Sequence, residues 1–328
     1  MITKETLIEN DFDLAIRKSQ GAMLGLAVGD AMGDIGRDPE FRTRYGLATH
    51  MPADARSTDD TEFALLTART LLDNHGEVNA EVLLVSWQKY IIAQGGIHRR
   101  AGRPLIGAVE NLKRGILPPY SGIDNVFNND DGAAMRIAPI GIVCAGEPER
   151  AAEMAEIEAQ MSHDRDGVWA AQAVAASVAV AMVDGSTEEI IAAGRAQIPD
   201  DSWLGRTMEL AMNICSEAED MRAAWEPLHT QLWTPEHCVV TEAIPQAYAL
   251  LRLTDSDFAD GMFWACNFGR DADTIAAMVG AMAGARQGVS VIPNDWIELV
   301  RQPAGVCLKF AAREDIVSLA NGLAKLIG

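Results

Sequence analysis

Basic residues are scarce in this chain. Its 27 lysines and arginines stand against 47 aspartates and glutamates, a net charge of −20 over 328 residues. Polyanions repel such a surface, which argues against nucleic acid or anionic membrane as an electrostatically steered partner. A small anionic substrate survives that argument, because bound divalent ions reverse the local field. Cysteine is also thin: Cys144, Cys215, Cys238, Cys266 and Cys307 show no CxxC spacing and fall mostly in apolar helical patterns. They read as buried free thiols of a cytoplasmic protein, with zinc disfavoured. No apolar run is long enough to span a bilayer. Val168 to Val183 comes nearest, but it is rich in alanine and interrupted by Gln172 and Ser177, as a buried core helix would be. Met1 to Asp13 carries acids and lacks the apolar centre of a signal peptide.

Alternating strand patterns are missing as well, and helical periods take their place. About a dozen helical segments follow one another with no repeat and no linker, so residues 1–328 are expected to form one compact all-α domain, and a monomer. Ile16 to Met32 reads as a helix that ends after Asp30 and gathers Gly21, Gly25 and Gly29 on one face. Glycine costs about 1 kcal/mol relative to alanine inside a helix, so three on a face imply a compensating close contact, and tight helix packing is the favoured reading.

Two acidic clusters carry the chemistry. Thr58-Asp59-Asp60-Thr61 and Asp271-Ala272-Asp273-Thr274 each precede an apolar-periodic stretch, which puts both at helix starts. Either alone suits a helix cap. A cap needs one oxygen, however, and consecutive carboxylates repel unless something screens them. If the two helix starts face each other, they offer hard oxygen donors suited to Mg²⁺ or Mn²⁺, a two-metal site that Asp30 supports from behind.

Other stretches read as loops. Gly33 to Ala55 loses its period and resembles a lid beside a site. The run Asn128-Asn129-Asp130-Asp131-Gly132 is explained as turn chemistry, and a helix is expected over Met135 to Ala145. Arg136 then falls in its first turn, where a cation opposes the dipole and needs a phosphate or carboxylate partner. The island Ser162 to Gly167 suggests a calcium loop only superficially, because Ala173 stands where the bidentate acid belongs.

Taken in order, Gly21-x-x-x-Gly25-x-x-x-Gly29-Asp30, Thr58 to Thr61, Gly132-Ala133-Ala134-Met135-Arg136, Ser162-His163 and Gly269 to Thr274 resemble the ADP-ribosylglycohydrolase family, of the dinitrogenase-reductase-activating type. The resemblance is collinear over roughly Gly21 to Gly288. It implies an all-α fold with two Mg²⁺ ions, Mn²⁺ being an alternative. It also implies metal ligands Thr58, Asp59, Asp60, Asp271, Asp273 and Thr274, with Asp60 and Asp271 at the chemistry. Gly132, Ala133, Met135 and Arg136 would line the ligand cleft, with Ser162 and His163 beside a phosphate or distal ribose. The implied reaction is hydrolysis at the anomeric ribose carbon of an ADP-ribosylated protein or small molecule, ADP-ribosylarginine among them. One departure stands out. Relatives commonly carry a glutamate four residues past the glycine matching Gly33, where this chain has Arg37, so the general base passes to Asp34, Asp38 or Glu40 as candidates.

Other readings compete with this one. A dimetal N-glycosidase of a small nucleoside or N-riboside would use the same ions. A weakly catalytic ADP-ribose-binding module is disfavoured by the intact acidic clusters. An all-α isoprenoid synthase fails because Asp59-Asp60 is followed by Thr61, Glu62 and Phe63, without the acid expected three places after Asp60.

Overall fold

Backbone hydrogen bonding in this chain is mostly local, and helices are what result. The computed structural model describes residues 2–328. The α-helices, in order, are α1 (Phe12–Gly36), α2 (Pro39–Tyr45), α3 (Asp59–Asp73), α4 (Ala80–Tyr90), α5 (Arg103–Lys113) and α6 (Tyr120–Ile123). They continue with α7 (Ala138–Val143), α8 (Pro148–Ala159), α9 (Asp166–Ala181), α10 (Thr187–Arg195), α11 (Trp203–Glu217) and α12 (Met221–Gln231). The chain closes with α13 (Val240–Leu253), α14 (Phe258–Cys266), α15 (Ala272–Gln287), α16 (Asn294–Val300) and α17 (Ile316–Ala324). Among the described residues extended pairing is limited to one isolated antiparallel bridge, Asp130 with Val239. None of these helices is long and apolar enough to cross a membrane.

Two helices lie at the centre. Of the 16 residues of α15, 14 are buried, and α1 is buried on every side from Gly21 to Gly33, so neither has a solvent face to speak of. They run antiparallel in backbone contact. A Cβ added at Gly21, Gly25, Gly29 or Gly33 would lie 2.1, 2.2, 2.1 or 2.3 Å from the carbonyl oxygen of Gly284, Gly280, Ala276 or Ala272. Each step of four on one helix meets a step of four on the other. The glycine face is thus a packing face, with Gly33 as a fourth member.

Lys18 closes the far end of this pair. Its buried ammonium donates to Ala285 O (3.0 Å) and Arg286 O (2.6 Å) at the C-terminus of α15, to Ala181 O (3.5 Å) at that of α9, and pairs with Asp184 at 2.5 Å. A cation placed on two helix C-termini satisfies carbonyls that have no partner within their own helices.

Several boundaries differ from the sequence reading, each for a local reason. The first helix runs past Asp30 to Gly36, because the α15 contact continues through Gly33. The expected loop from Gly33 to Ala55 contains α2, whose start was legible: Asp38 accepts from Glu40 N at 2.8 Å, with proline following it. No single helix covers Met135 to Ala145. A 3₁₀ turn, Ala134–Arg136, gives way to α7. Helix α12 is capped by Asp220, which accepts from Ala223 N at 2.9 Å, and α13 begins only at Val240.

Two stability predictions follow from the central pair. Gly29→Ala gains up to about 1 kcal/mol of helix propensity, but forces a methyl into a backbone that cannot move cheaply, so the overpacking penalty wins. A net loss of about 2 kcal/mol or more is expected in urea unfolding. Lys18→Met strands buried carbonyls at two helix ends and is expected to cost about 2 kcal/mol or more by the same measurement. A variant as stable as the parent would overturn either account.

Candidate active site

A cleft of about 240 Å³ opens where the N-termini of α3 and α15 meet the C-terminal end of α1. The α1–α15 contact places its parts. Gly33 packs against Ala272 and Asp273, and one turn earlier Asp30 reaches across to α3. Its carboxylate accepts hydrogen bonds from the backbone N–H groups of Thr58 (2.6 Å) and Thr61 (3.1 Å) and from their hydroxyls (2.7 and 2.5 Å). A side chain from another helix therefore caps α3, and Thr58 forms no cap bond of its own. The Thr58 hydroxyl spends its one proton on Asp30 and keeps its lone pairs free. Asp271, at the same position of α15, likewise makes no cap bond. Capping does not explain either cluster.

Asp59, Asp60, Asp271, Asp273 and Thr274 all line the cleft, so the two clusters, more than two hundred residues apart in sequence, do meet. Asp131 and Asp130 join them from the loop before the 3₁₀ turn. Asp131 N donates to Cys238 O (2.9 Å) and Val240 N to Asn129 O (3.1 Å), which ties that loop to the segment carrying His237 and Cys238. Glu242 holds the same segment in place, accepting from Thr234 N at 2.7 Å and from Arg270, the residue before Asp271.

So many buried carboxylates disturb one another. Burial, then Asp273, pushes the Asp271 carboxyl up to about 7. Asp59 and Asp60 are pushed well above the usual carboxylate range by burial and by each other's neighbours, as is Asp131 by burial and by Asp271, with which it shares a hydrogen bond. Asp30 rises to about 7 through burial, against the pull of its bonds to Thr61 and Thr58. Two cations enter the cluster. Arg37 Nη1 bonds both oxygens of Asp273, at 2.5 Å for Oδ1, and lies 3.1 Å from Asp271 Oδ1, while its Nη2 meets His237 Nε2 at 2.9 Å. Arg100 Nη2 donates to Asp273 Oδ2 at 2.9 Å, and Nη1 to Asp34.

Do these residues suit a divalent ion? Among the described residues no three His, Cys, Asp or Glu side chains are already drawn together around one point, as mutual repulsion of carboxylates leads one to expect. The donor set is nonetheless hard oxygen throughout the acidic wall, and Asp60 Oδ1 and Asp131 Oδ2 are buried with no hydrogen-bond partner. A buried carboxylate oxygen without a partner is costly unless a cation or water meets it. The residues fit a hard divalent ion.

The remaining candidates divide. Gly132 and Met135 line the cleft, whereas Ala133, Arg136, Ser162 and His163 lie fully buried behind it. Arg136 finds its partner in a carboxylate. Its Nε donates to Glu158 at 2.8 and 3.1 Å, Nη1 to Gly132 O at 2.8 Å and Nη2 to Ser162 Oγ at 3.0 Å. Since that serine accepts from arginine, its own proton goes to His163 Nδ1 (2.7 Å), and Nε2–H donates to Asp130 Oδ1 (2.7 Å). Burial, and the neighbouring Arg136 cation, hold His163 below its ordinary pKa. This chain of bonds fixes the Asp130 to Gly132 turn. Asp34 pairs with Arg100, Asp38 caps α2, and Glu40 lines a separate hollow with Asp38, so none of the three loop acids faces the cleft.

Sequence reasoning missed Arg100, Asp130, Asp131, His237 and Cys238. Asp130-Asp131 before Gly132 repeats the pattern of paired acids at a helical start and could have been found. The others arrive by tertiary contact alone.

Residues 13–328 match the sequence profile of ADP-ribosylglycohydrolases. The chain is similar to ADP-ribosylarginine hydrolase Tri1 of Pseudomonas putida (26% identity, covering 87% of this chain and 75% of that one). It is also similar to ADP-ribosyl-[dinitrogen reductase] glycohydrolase of Rhodospirillum rubrum (25% identity, 85% and 89%). A solved ADP-ribosylglycohydrolase-related protein complex shares the fold, with a TM-score of 0.67 at 24% identity over 96% of this chain and 100% of that one. An all-α fold built around this cleft and a profile match that runs from the start of α1 to the last residue place the chain in the ADP-ribosylglycohydrolase family, metal-dependent glycoside hydrolases that act on ADP-ribosyl groups.

Proposed function

We propose that the cleft binds Mg²⁺ and hydrolyses the bond between the anomeric ribose carbon of ADP-ribose and a modified arginine, releasing ADP-ribose. The observation that carries this reading is an acidic cleft that already takes guanidinium groups as partners, those of Arg37 and Arg100, beside two partnerless carboxylate oxygens. Relatives named for ADP-ribosylarginine and for ADP-ribosylated dinitrogen reductase support the substrate class.

Asp59, Asp60 and Asp271, with the Thr58 and Thr274 hydroxyls, are the proposed ligands. The expectation of two ions also needs Asp273, both of whose oxygens are engaged here by arginines. These residues would hold a divalent ion, which would supply orientation of the ribose hydroxyls and a lowered pKa for a bound water. Asp131, set by the bonds of its turn to Cys238 and Val240, lines the cleft, and once a bound cation lowers its raised pKa it would be placed to accept the proton of the attacking water. The Asp271 and Asp273 carboxylates receive the guanidinium side of the substrate, and negative charge around the anomeric carbon favours the oxocarbenium-like state through which such bonds break. Met135 gives the floor an apolar surface that limits water.

The cleft's volume favours a second reading. At about 240 Å³ it lies below the roughly 300–1,000 Å³ usual for ligand pockets, which suits a ribose and its leaving group better than a whole ADP-ribose. The alternative is a small nucleoside or N-riboside as substrate. Loss of activity on replacing Arg136 or His163 would not separate the two readings, because both hold the Asp130 turn.

Release of ADP-ribose from an arginine-ADP-ribosylated protein, with Mg²⁺ and with chelator, tests the proposal. Metal-dependent release is expected, falling about 100-fold or more in Asp60→Asn and in Asp131→Asn. Hydrolysis of small N-ribosides with none from the modified protein would replace this reading by the alternative.

A further inference from the structure

We infer that this cleft takes one divalent ion rather than two, held on the Asp60 side, and that the Arg37 guanidinium permanently occupies the second cation position. The inference rests on the metal-binding part of the proposed function and narrows it to this chain's own residues.

The two halves of the acidic wall differ in how they are compensated. On the Asp273 side three carboxylate oxygens meet a cation: Arg37 spans both oxygens of Asp273 and touches Asp271 Oδ1 at 3.1 Å, and Arg100 adds a bond to Asp273 Oδ2 at 2.9 Å. On the Asp60 side, no salt bridge reaches Asp60 among the described residues, and its buried Oδ1 has no partner of any kind. One half is filled by the protein, and the other calls for a cation.

Arg37 is built into its position. It is the C-cap of α1, its backbone N–H bonded to Gly33 O and Ile35 O, so the helix dipole favours its charge there. From that point the guanidinium is fixed by Asp271, Asp273 and His237 together. Planar, always charged and rigidly forked, an arginine replaces a hydrated ion in a carboxylate pair better than lysine would. A second divalent ion would have to share the same oxygens with it, and like charges at contact distance in a buried cleft repel strongly. Arg100 is the looser of the two. It reaches in from a loop residue at φ 46° with its side chain 39% exposed, so it is the arginine that can yield to an incoming substrate.

Counting ions on the metal-free, full-length chain tests this without an activity assay. Equilibrium dialysis against Mn²⁺ is expected to give one ion per chain, with the electron paramagnetic resonance spectrum of an isolated, uncoupled ion. Arg100→Gln alone should leave that count at one. Arg37→Gln with Arg100→Gln should admit a second Mn²⁺ and give a spin-coupled pair. Two ions on the unaltered chain would overturn the inference and leave the hydrolase proposal standing. No bound Mn²⁺ at all would overturn both the inference and the metal-dependent proposal. A double variant that folds but still binds one ion would remove Arg37 from the role assigned to it. Should the double variant fail to fold, the count on the unaltered chain and on Arg100→Gln decides.

Discussion

The backbone contact between α1 and α15 sets nearly everything else in the molecule. Four glycines spaced four residues apart on α1 place their α-carbons against carbonyl oxygens of the antiparallel α15, an approach no side chain permits. Each glycine lowers helix propensity by about 1 kcal/mol, which is offset by the density of contact between two helices with no side chains in the way. That contact also sets a geometry. The N-terminus of α15, with Asp271 and Asp273, is held beside Gly33, and Asp30 on the same helix α1 captures the N-terminus of α3, with Asp59 and Asp60. The separation of the two acidic clusters is thus measured out along one rigid helix.

This arrangement explains which parts could be read from the sequence. Helices announce themselves by local period, and the acidic clusters by position at helix starts, so the all-α fold and the two clusters that meet in the cleft were both legible. What arrives by tertiary contact was not. Arg136 shows the difference: its sequence position asked for an anionic partner, but only the fold shows that the partner is Glu158 from α8 rather than a ligand. His163 was read as a ligand contact through resemblance, and packing turns it inward to hold Asp130. Asp34, Asp38 and Glu40 are candidates because Arg37 stands where relatives commonly carry a glutamate. The continuation of α1 to Gly36 and the short helix α2 give each of them another partner or another surface.

Buried carboxylates at such density oppose folding, and the structure shows how the opposition is limited. Four of them sit at the N-termini of α3 and α15, where the helix dipoles favour negative charge. Asp30 exchanges its hydration for four hydrogen bonds from one helix start. Arg37 and Arg100 neutralise Asp273, and sharing a hydrogen bond lets Asp131 and Asp271 lie together without both carrying full charge. What these devices leave over is the Oδ2 of Asp131 and, more fully, Asp60, buried, without a salt bridge among the described residues and without a partner for Oδ1. A protein that only needed to be stable would have an asparagine or a leucine there, since a partnerless buried carboxylate costs more than either. The position is destabilising in the chain alone and would become favourable with a cation bound, so the binding energy of the proposed ion would in part be the relief of a cost that the fold has already accepted.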